Sequence, residues 1–215
     1  HQGYKPQGLV IPNGFDVNSY DEQRSQRKTL QRRYGFADYK KIFITVADYE
    51  DDNDFPTLLQ AIQMNLEGRN DLLFVLVGKG VDEHNRLLQA TVSSSALENI
   101  WFMGDRGDVQ QLLLASDYFV YAAKQEIPLN AVGEAMCAGL PCIVTNVGDA
   151  NILVGPTGEI VPPNNVTMLA AAIEKFEQLD EQQYEQRAKK VSQRVRSLFS
   201  VPTIADQYHS QFLAL

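Results

Sequence analysis

Leu72-Leu73-Phe74-Val75-Leu76-Val77 is six apolar residues in a row, closed by Gly78. A strand wetted on one face alternates apolar and polar residues. A strand covered by helices on both faces reads as one continuous apolar run. Working outward, the same signature recurs at Leu9-Val10-Ile11, Ile42-Phe43-Ile44-Thr45-Val46, Ile100-Trp101-Phe102-Met103, Tyr118-Phe119-Val120-Tyr121 and Cys142-Ile143-Val144-Thr145. Helix-period segments lie between the runs: Pro56 to about Leu66, Val81 to about Ala90, Val109 to Ala115 and Val132 to Ala138. This β-α-β-α rhythm predicts an α/β fold, a doubly wound parallel sheet of about six strands with helices on both faces.

Asp21 to Tyr34 reads as a polar helix at the sheet's edge or just before its first core strand. Beyond Pro162-Pro163 three C-terminal helices are expected, over Val166 to Leu179, Glu181 to about Leu198 and Thr203 to Leu213. No repeat, low-complexity tract or linker interrupts residues 1–215, so one domain is expected.

Composition narrows the class. With 44% hydrophobic and 21% charged residues, the 215-residue chain can bury one sizeable core. Its formal net charge is -8. An acidic chain repels nucleic acid and anionic membranes, so neither is expected as a large-area partner. No apolar run nears the roughly 20 residues of a membrane-spanning helix. Cys137 and Cys142 sit in apolar surroundings and suit a reducing compartment as small core residues. His84 and His209 have no second metal ligand at useful spacing. Trp101 and Met136 read as core residues. The chain opens on His1-Gln2-Gly3 without an initiator Met, as expected of a piece of a longer protein.

The stretch that carries chemistry is Glu126-Ile127-Pro128-Leu129-Asn130-Ala131-Val132-Gly133-Glu134-Ala135-Met136-Cys137-Ala138-Gly139-Leu140-Pro141. It follows the strand ending near Tyr121 and opens a short helix. The N–H groups of Leu129, Asn130 and Ala131 would lie near that helix's amino terminus, where unpaired donors and the helix dipole attract anions. Phosphate beside two carboxylates suits a nucleotide-sugar, since its hydroxyls need acceptor oxygens. On spacing alone, two solvated glutamates are the simpler account of the pattern.

The stretch resembles the Glu-x7-Glu signature of the group 1, or family 4, retaining glycosyltransferases. Other segments are similar to that family's motifs in the same order. They are Val10-Ile11-Pro12-Asn13-Gly14-Phe15-Asp16, Val77-Gly78-Lys79-Gly80, Phe102-Met103-Gly104, Thr145-Asn146-Val147-Gly148 and Val161-Pro162-Pro163-Asn164. No one of them is specific; the ordered set, spanning nearly the whole chain, is. The resemblance implies a GT-B fold, with two Rossmann-like domains facing across a cleft. This chain would be the C-terminal, donor-binding half without its own N-terminal acceptor domain. Carried over residue by residue, the catalytic pair is Glu126, beside the donor sugar, and Glu134, on the ribose. Leu129, Asn130 and Ala131 would hold the distal phosphate. Gly78, Lys79, Gly80, Met103 and Gly104 would lie near the base, and Asn13 and Gly14 near the cleft. The implied partners are a nucleotide-sugar, the missing N-terminal half, and a glycan or lipid acceptor. No cofactor or metal is expected. The implied location is cytoplasmic, or peripheral at the inner membrane through the missing half.

The chain departs from that pattern where the family carries Gly-Arg and then Lys, cations that clamp the diphosphate. Here Ala47-Asp48 and Asn53 occupy those places, within the acidic loop Asp48-Tyr49-Glu50-Asp51-Asp52-Asn53-Asp54. Each charged hydrogen bond lost costs about 1.5–3 kcal/mol. Three readings stay open: Lys79, Arg106 or Lys124 substitutes; the acidic loop takes Mg2+ bridging to phosphate; or the domain binds its donor weakly and has lost activity. Ile127 also replaces the usual Gly. A non-catalytic binding domain of the same fold is therefore the first rival. Epimerases and phosphorylases are rivals from fold alone. A dinucleotide-dependent oxidoreductase needs glycines after the first strand, and Val46 to Asp54 has none.

Overall fold

A computed structural model describes residues 11–126 and 128–213. In chain order the elements are α1 (Val17–Gln23), α2 (Arg27–Tyr34), β1 (Lys41–Val46), α3 (Phe55–Leu66), β2 (Leu72–Val77), α4 (Arg86–Gln89), α5 (Ser94–Leu97), β3 (Ile100–Phe102), α6 (Val109–Ala115), β4 (Tyr118–Tyr121), α7 (Asn130–Cys137), β5 (Cys142–Thr145), α8 (Ala150–Val154), β6 (Glu159–Val161), α9 (Val166–Glu177), α10 (Glu181–Phe199) and α11 (Val201–Leu213). The strands form one sheet in the order β3-β2-β1-β4-β5-β6, every pair parallel. This is the Rossmann-like doubly wound arrangement the apolar runs predict.

The continuous runs follow from burial on both faces. Ile42 and Ile44 of β1 enter one core with Leu73, Val75, Phe119 and Val144, beneath α1, α2, α6, α7 and α10. Phe43, one residue between them, enters the other core with Phe74, Tyr118, Val120 and Ile143, beneath α3 and α9. Strand side chains alternate faces, so both sets must be apolar when both faces are dry.

Three readings are corrected. The sixth strand is β6, at Glu159–Val161, which opens on a charged residue and holds only two apolar ones, so no apolar run registers. The run at residues 9–11 lies outside the described residues except for Ile11, which is in no strand. The helix expected over Val81 to Ala90 shrinks to α4, because Asn85 caps the backbone N–H groups of Leu87 and Leu88 and starts the helix there.

Strand order reverses between β1 and β4, so their following loops diverge at the sheet's carboxyl edge. Ligands of doubly wound sheets bind in the crevice there.

Candidate functional site

An open cleft of about 440 Å³ lies over the carboxyl ends of β4 and β5. The β4–α7 loop contributes Glu126, Pro128, Leu129 and Asn130; α8 and its approach contribute Asp149, Ile152 and Leu153; Pro12, Asn13 and Phe15 form the far wall with Phe199.

That far wall is pinned in three ways. The Phe15 N–H donates to the Phe199 carbonyl at 2.8 Å, and the Val201 N–H donates to the Phe15 carbonyl at 3.0 Å. The Asn13 amide donates to Asn130 Oδ1 at 2.9 Å. The Phe15 ring lies over Gly133, where an added Cβ would come within 2.0 Å of it. Only hydrogen at position 133 leaves room for the ring. Gly14 likewise faces the first turn of α11, where an added Cβ would lie 3.1 Å from Val201 Cα.

α7 starts at Asn130 with Leu129 in the cap position, and no side chain caps it. A leucine side chain cannot accept a hydrogen bond, so among the described residues the first-turn N–H groups beside the cleft have no side-chain acceptor for their partial positive charge. Glu126 is exposed beside them. Its Cγ occupies the space a side chain on Gly148 would need, 2.6 Å from the ideal Cβ position, and Gly148 has φ +48°. Gly148 thus leaves room for this carboxylate.

Glu134 does not line the cleft. It sits one turn below Asn130 on the same face of α7, half-buried. Burial pushes its carboxyl up from the ordinary range. The charge of Glu134 is felt by Tyr20 of α1 and by Cys137, whose thiol burial raises to about 12. Cys142 is fully buried too, and neither cysteine is poised as a nucleophile.

The glycine turns after β2 and β3 form a second wall on the other side of the reversal point. Gly78 donates its N–H to the Gly104 carbonyl at 2.9 Å, and Gly104 donates to the Val81 carbonyl at 2.8 Å. Met103 donates to the Leu76 carbonyl at 2.8 Å. Gly78 has φ +152°, and a Cβ there would lie 1.9 Å from the Ala47 carbonyl oxygen. This glycine serves the close approach of two strand ends. Strands are spaced about 4.8 Å apart, so the end of β3 stands roughly 14 Å from the end of β4.

The acidic loop joins the two walls. The Asp48 carboxylate accepts the Lys79 N–H, the Asp48 carbonyl accepts from the Asn53 side chain at 2.9 Å, and the Tyr49 N–H donates to the Lys79 carbonyl at 2.8 Å. On the other side, Asp54 donates its N–H to the Ala122 carbonyl at 2.9 Å, and Lys124 donates its own to the Asp52 carbonyl at 2.9 Å. Gln125 bonds the Asp52 carboxylate. Asp54 also caps α3 through the Thr57 N–H. The loop is therefore a stitched strap, and among the described residues no three His, Cys, Asp or Glu side chains are grouped to hold a metal ion.

The three candidate cations are in different situations. Arg106 makes a two-pronged pair with Asp108, both contacts at 2.8 Å. Asp108, held well below its usual pKa by that guanidinium, also accepts from Tyr34. The Lys124 ammonium donates to the Asp51 carbonyl at 3.0 Å. The Lys79 side chain is exposed, with no carboxylate within ion-pair distance among the described residues.

Sequence reading missed Asp149, Ile152, Leu153 and Phe199 as cleft residues, while Phe15 directly follows Asn13-Gly14, where the resemblance places cleft-lining residues. Glycines at 133 and 148 each act through a partner distant in sequence. Ile127 lies outside the described residues.

A parallel, doubly wound sheet with an uncapped helix start opening on a carboxyl-edge cleft defines a domain of the nucleotide-binding α/β class. The chain belongs to the group 1 glycosyl transferases, whose family model matches residues 40–178. It is 26% identical over 212 residues to N-acetyl-alpha-D-glucosaminyl L-malate synthase of Bacillus anthracis, covering 94% of this chain and 54% of that protein. It is 28% identical over 147 residues to an Escherichia coli protein, UDP-Gal:alpha-D-GlcNAc-diphosphoundecaprenol alpha-1,3-galactosyltransferase, covering 67% and 38%. Anabaena Alr3699/HepE in complex with UDP and glucose has the same fold, with a TM-score of 0.82 at 24% identity, over 100% of this chain and 59% of that one. The chain thus spans about half the length of the relatives it matches. Among the described residues no helix is long and apolar enough to cross a membrane.

Proposed function

We propose that this chain supplies the nucleotide-sugar donor site of a retaining glycosyltransferase, whose acceptor is bound by a further domain. The observation that carries the reading is the uncapped start of α7 opening beside Glu126 in the cleft. A nucleoside diphosphate leaving group gains negative charge as the glycosyl bond breaks. Fixed N–H donors and a helix dipole aimed at that charge stabilise the transition state more than the ground state.

An extended donor fits the spacing between the two walls. Its base would lie at the turns holding Gly78, Lys79, Gly80, Met103 and Gly104. Its ribose would reach Glu134, its distal phosphate the N–H groups of Leu129, Asn130 and Ala131, and its sugar Glu126. Asn13 and Gly14 would carry the wall facing the acceptor. The relatives' names point to UDP as the first nucleotide to test. No metal is required by this reading.

Titration of the chain with UDP, GDP and ADP and their sugars, with amide shift mapping, tests it. We expect shifts at Leu129, Asn130 and Ala131 and tighter binding of one diphosphate than of its nucleoside. Shifts confined to surfaces away from the cleft would refute the reading.

A second reading has its own support. Asp48 and Asn53 stand where the family's cations stand, Arg106 is held by Asp108, and Lys124 is held by the strap. A donor-binding domain without transfer activity would tolerate this. Sugar transfer by the longer protein separates the two; the isolated chain is expected to bind donor without transferring it.

A further inference from the structure

We infer that the chain carries a membrane-docking face, opposite the donor cleft, built by α2 and the amino-terminal half of α10 for an anionic bilayer surface. Residues 24–34 and the first ten residues of α10, 181–190, hold eight of the nineteen Lys and Arg residues but only two of the twenty-seven Asp and Glu residues. Their local balance is +6, on a chain whose total is -8.

Tertiary contacts bring the two segments side by side. Arg24 bonds the Ser192 hydroxyl, Arg27 bonds the Tyr184 hydroxyl, and Arg196 pairs with Asp21. The groove between them lies at the sheet's amino edge: Arg27 pairs with Asp117, which directly precedes β4 and accepts the Ile42 N–H of β1 at 2.7 Å. The donor cleft lies at the carboxyl edge, so a domain closing over the cleft leaves this end free.

The cations that converge on the groove are consumed internally by Asp21, Asp117 and their neighbours. Those left over lie at the groove's rim, where Lys189 stands near Glu185, and on the helix surfaces beside it. Lys28, Arg32, Arg33, Lys189 and Lys190 are exposed, and none has a carboxylate within ion-pair distance among the described residues. Spread over two helices, they suit a flat anionic surface better than a small ligand.

The negative total does not oppose this contact. A chain of this length is about 40 Å across, several times the Debye length of about 8 Å at physiological salt. A bilayer touching the basic end does not sense the acidic end. The same asymmetry orients the molecule, basic end down and cleft away from the lipid. With no membrane-spanning helix among the described residues, attachment through this face would be peripheral and electrostatic.

Co-sedimentation with vesicles tests the inference. We expect the chain to pellet with phosphatidylserine-containing vesicles and not with pure phosphatidylcholine, and to be released by salt. The variant K28Q/R32Q/K189Q/K190Q should lose binding, each removed charge weakening it about fivefold. A control, R86Q/K175Q, removes cations from other faces and should bind like the parent. All six side chains are exposed and the one ion pair removed, Lys175 with Glu159, is at the surface, so circular dichroism should match across the set and thermal melts should agree within about 5 °C. Equal pelleting with neutral vesicles, no pelleting with anionic ones, or an unchanged quadruple variant would overturn it. So would stronger binding to duplex DNA than to vesicles at the same salt, which would assign the face to nucleic acid.

Discussion

The Asp48 carboxylate accepts a hydrogen bond from the backbone N–H of Lys79 at 2.8 Å. The acid at the place where the family resemblance leads one to expect a cation is thus engaged with the glycine turn at the end of β2. Two roles of Asp48 can be separated. Asp48→Ala removes the acceptor; it should cost about 1 kcal/mol in denaturant unfolding and speed amide exchange at Lys79. Asp48→Asn keeps an acceptor oxygen but removes the charge; it should leave stability within about 0.5 kcal/mol and bind a nucleoside diphosphate several-fold tighter. Equal stability of the two variants would show that the hydrogen bond does not hold the turn.

Glu134 should show a conflict between stability and binding. Burial raises its pKa, so the folded state holds the proton more strongly than the unfolded state. Stability from this group is therefore full at low pH and declines as pH rises through the ordinary glutamate range and up to the folded value. Glu134→Gln should raise the thermal midpoint at neutral pH by about 1–2 °C and flatten that decline. The same variant should weaken nucleoside diphosphate binding more than Glu126→Ala does. Isothermal titration with plain UDP checks this, because Glu126 would need the sugar to contribute.

Glu177 gives the opposite pH signature. Its carboxylate, buried at the end of α9, accepts from Arg69 at 3.1 Å and from Lys40 at 2.9 Å. Those bonds depress its pKa to about 2. The stabilisation is present above the ordinary glutamate pKa and is lost as pH falls towards 2. Glu177→Gln should destabilise the chain by about 1–3 kcal/mol at pH 7 and by much less at pH 3. Urea titrations at the two pH values measure the difference.

Gly133→Ala should dislodge the cleft's far wall. The new methyl would overlap the Phe15 ring, so the loop at 12–16 must move or the helix must shift. A cost of about 1–3 kcal/mol follows from overpacking. Faster amide exchange at Phe15 and Val201, whose N–H groups pin the loop, would accompany it. A variant as stable as the parent with unchanged exchange would mean that the ring swings away freely. Phe15→Ala in the Gly133→Ala background should recover part of the loss.

The β-α rhythm was legible because strands dry on both faces must be apolar at every position, as Leu72 to Val77 shows. The short pieces were not: β6 has three residues and α8 five, too few for a period to emerge. Among the candidate site residues, Glu126 and the α7 start announced themselves by their place after a strand. Their partners did not, because Phe15 meets Gly133 and Glu126 meets Gly148 across gaps in the chain that no local pattern spans.

Local order therefore decided which segments are strands and helices, since backbone propensity and apolar periodicity act over a few residues. Tertiary structure alone decided the fate of the charges. It committed Arg106 to Asp108, tied Lys124 into the acidic strap, left Lys79 without an ion pair among the described residues, and gathered eight cations from residues 24–34 and the first half of α10 onto one end. A charge acts through space, and its neighbours in space are chosen by the packing of the whole chain.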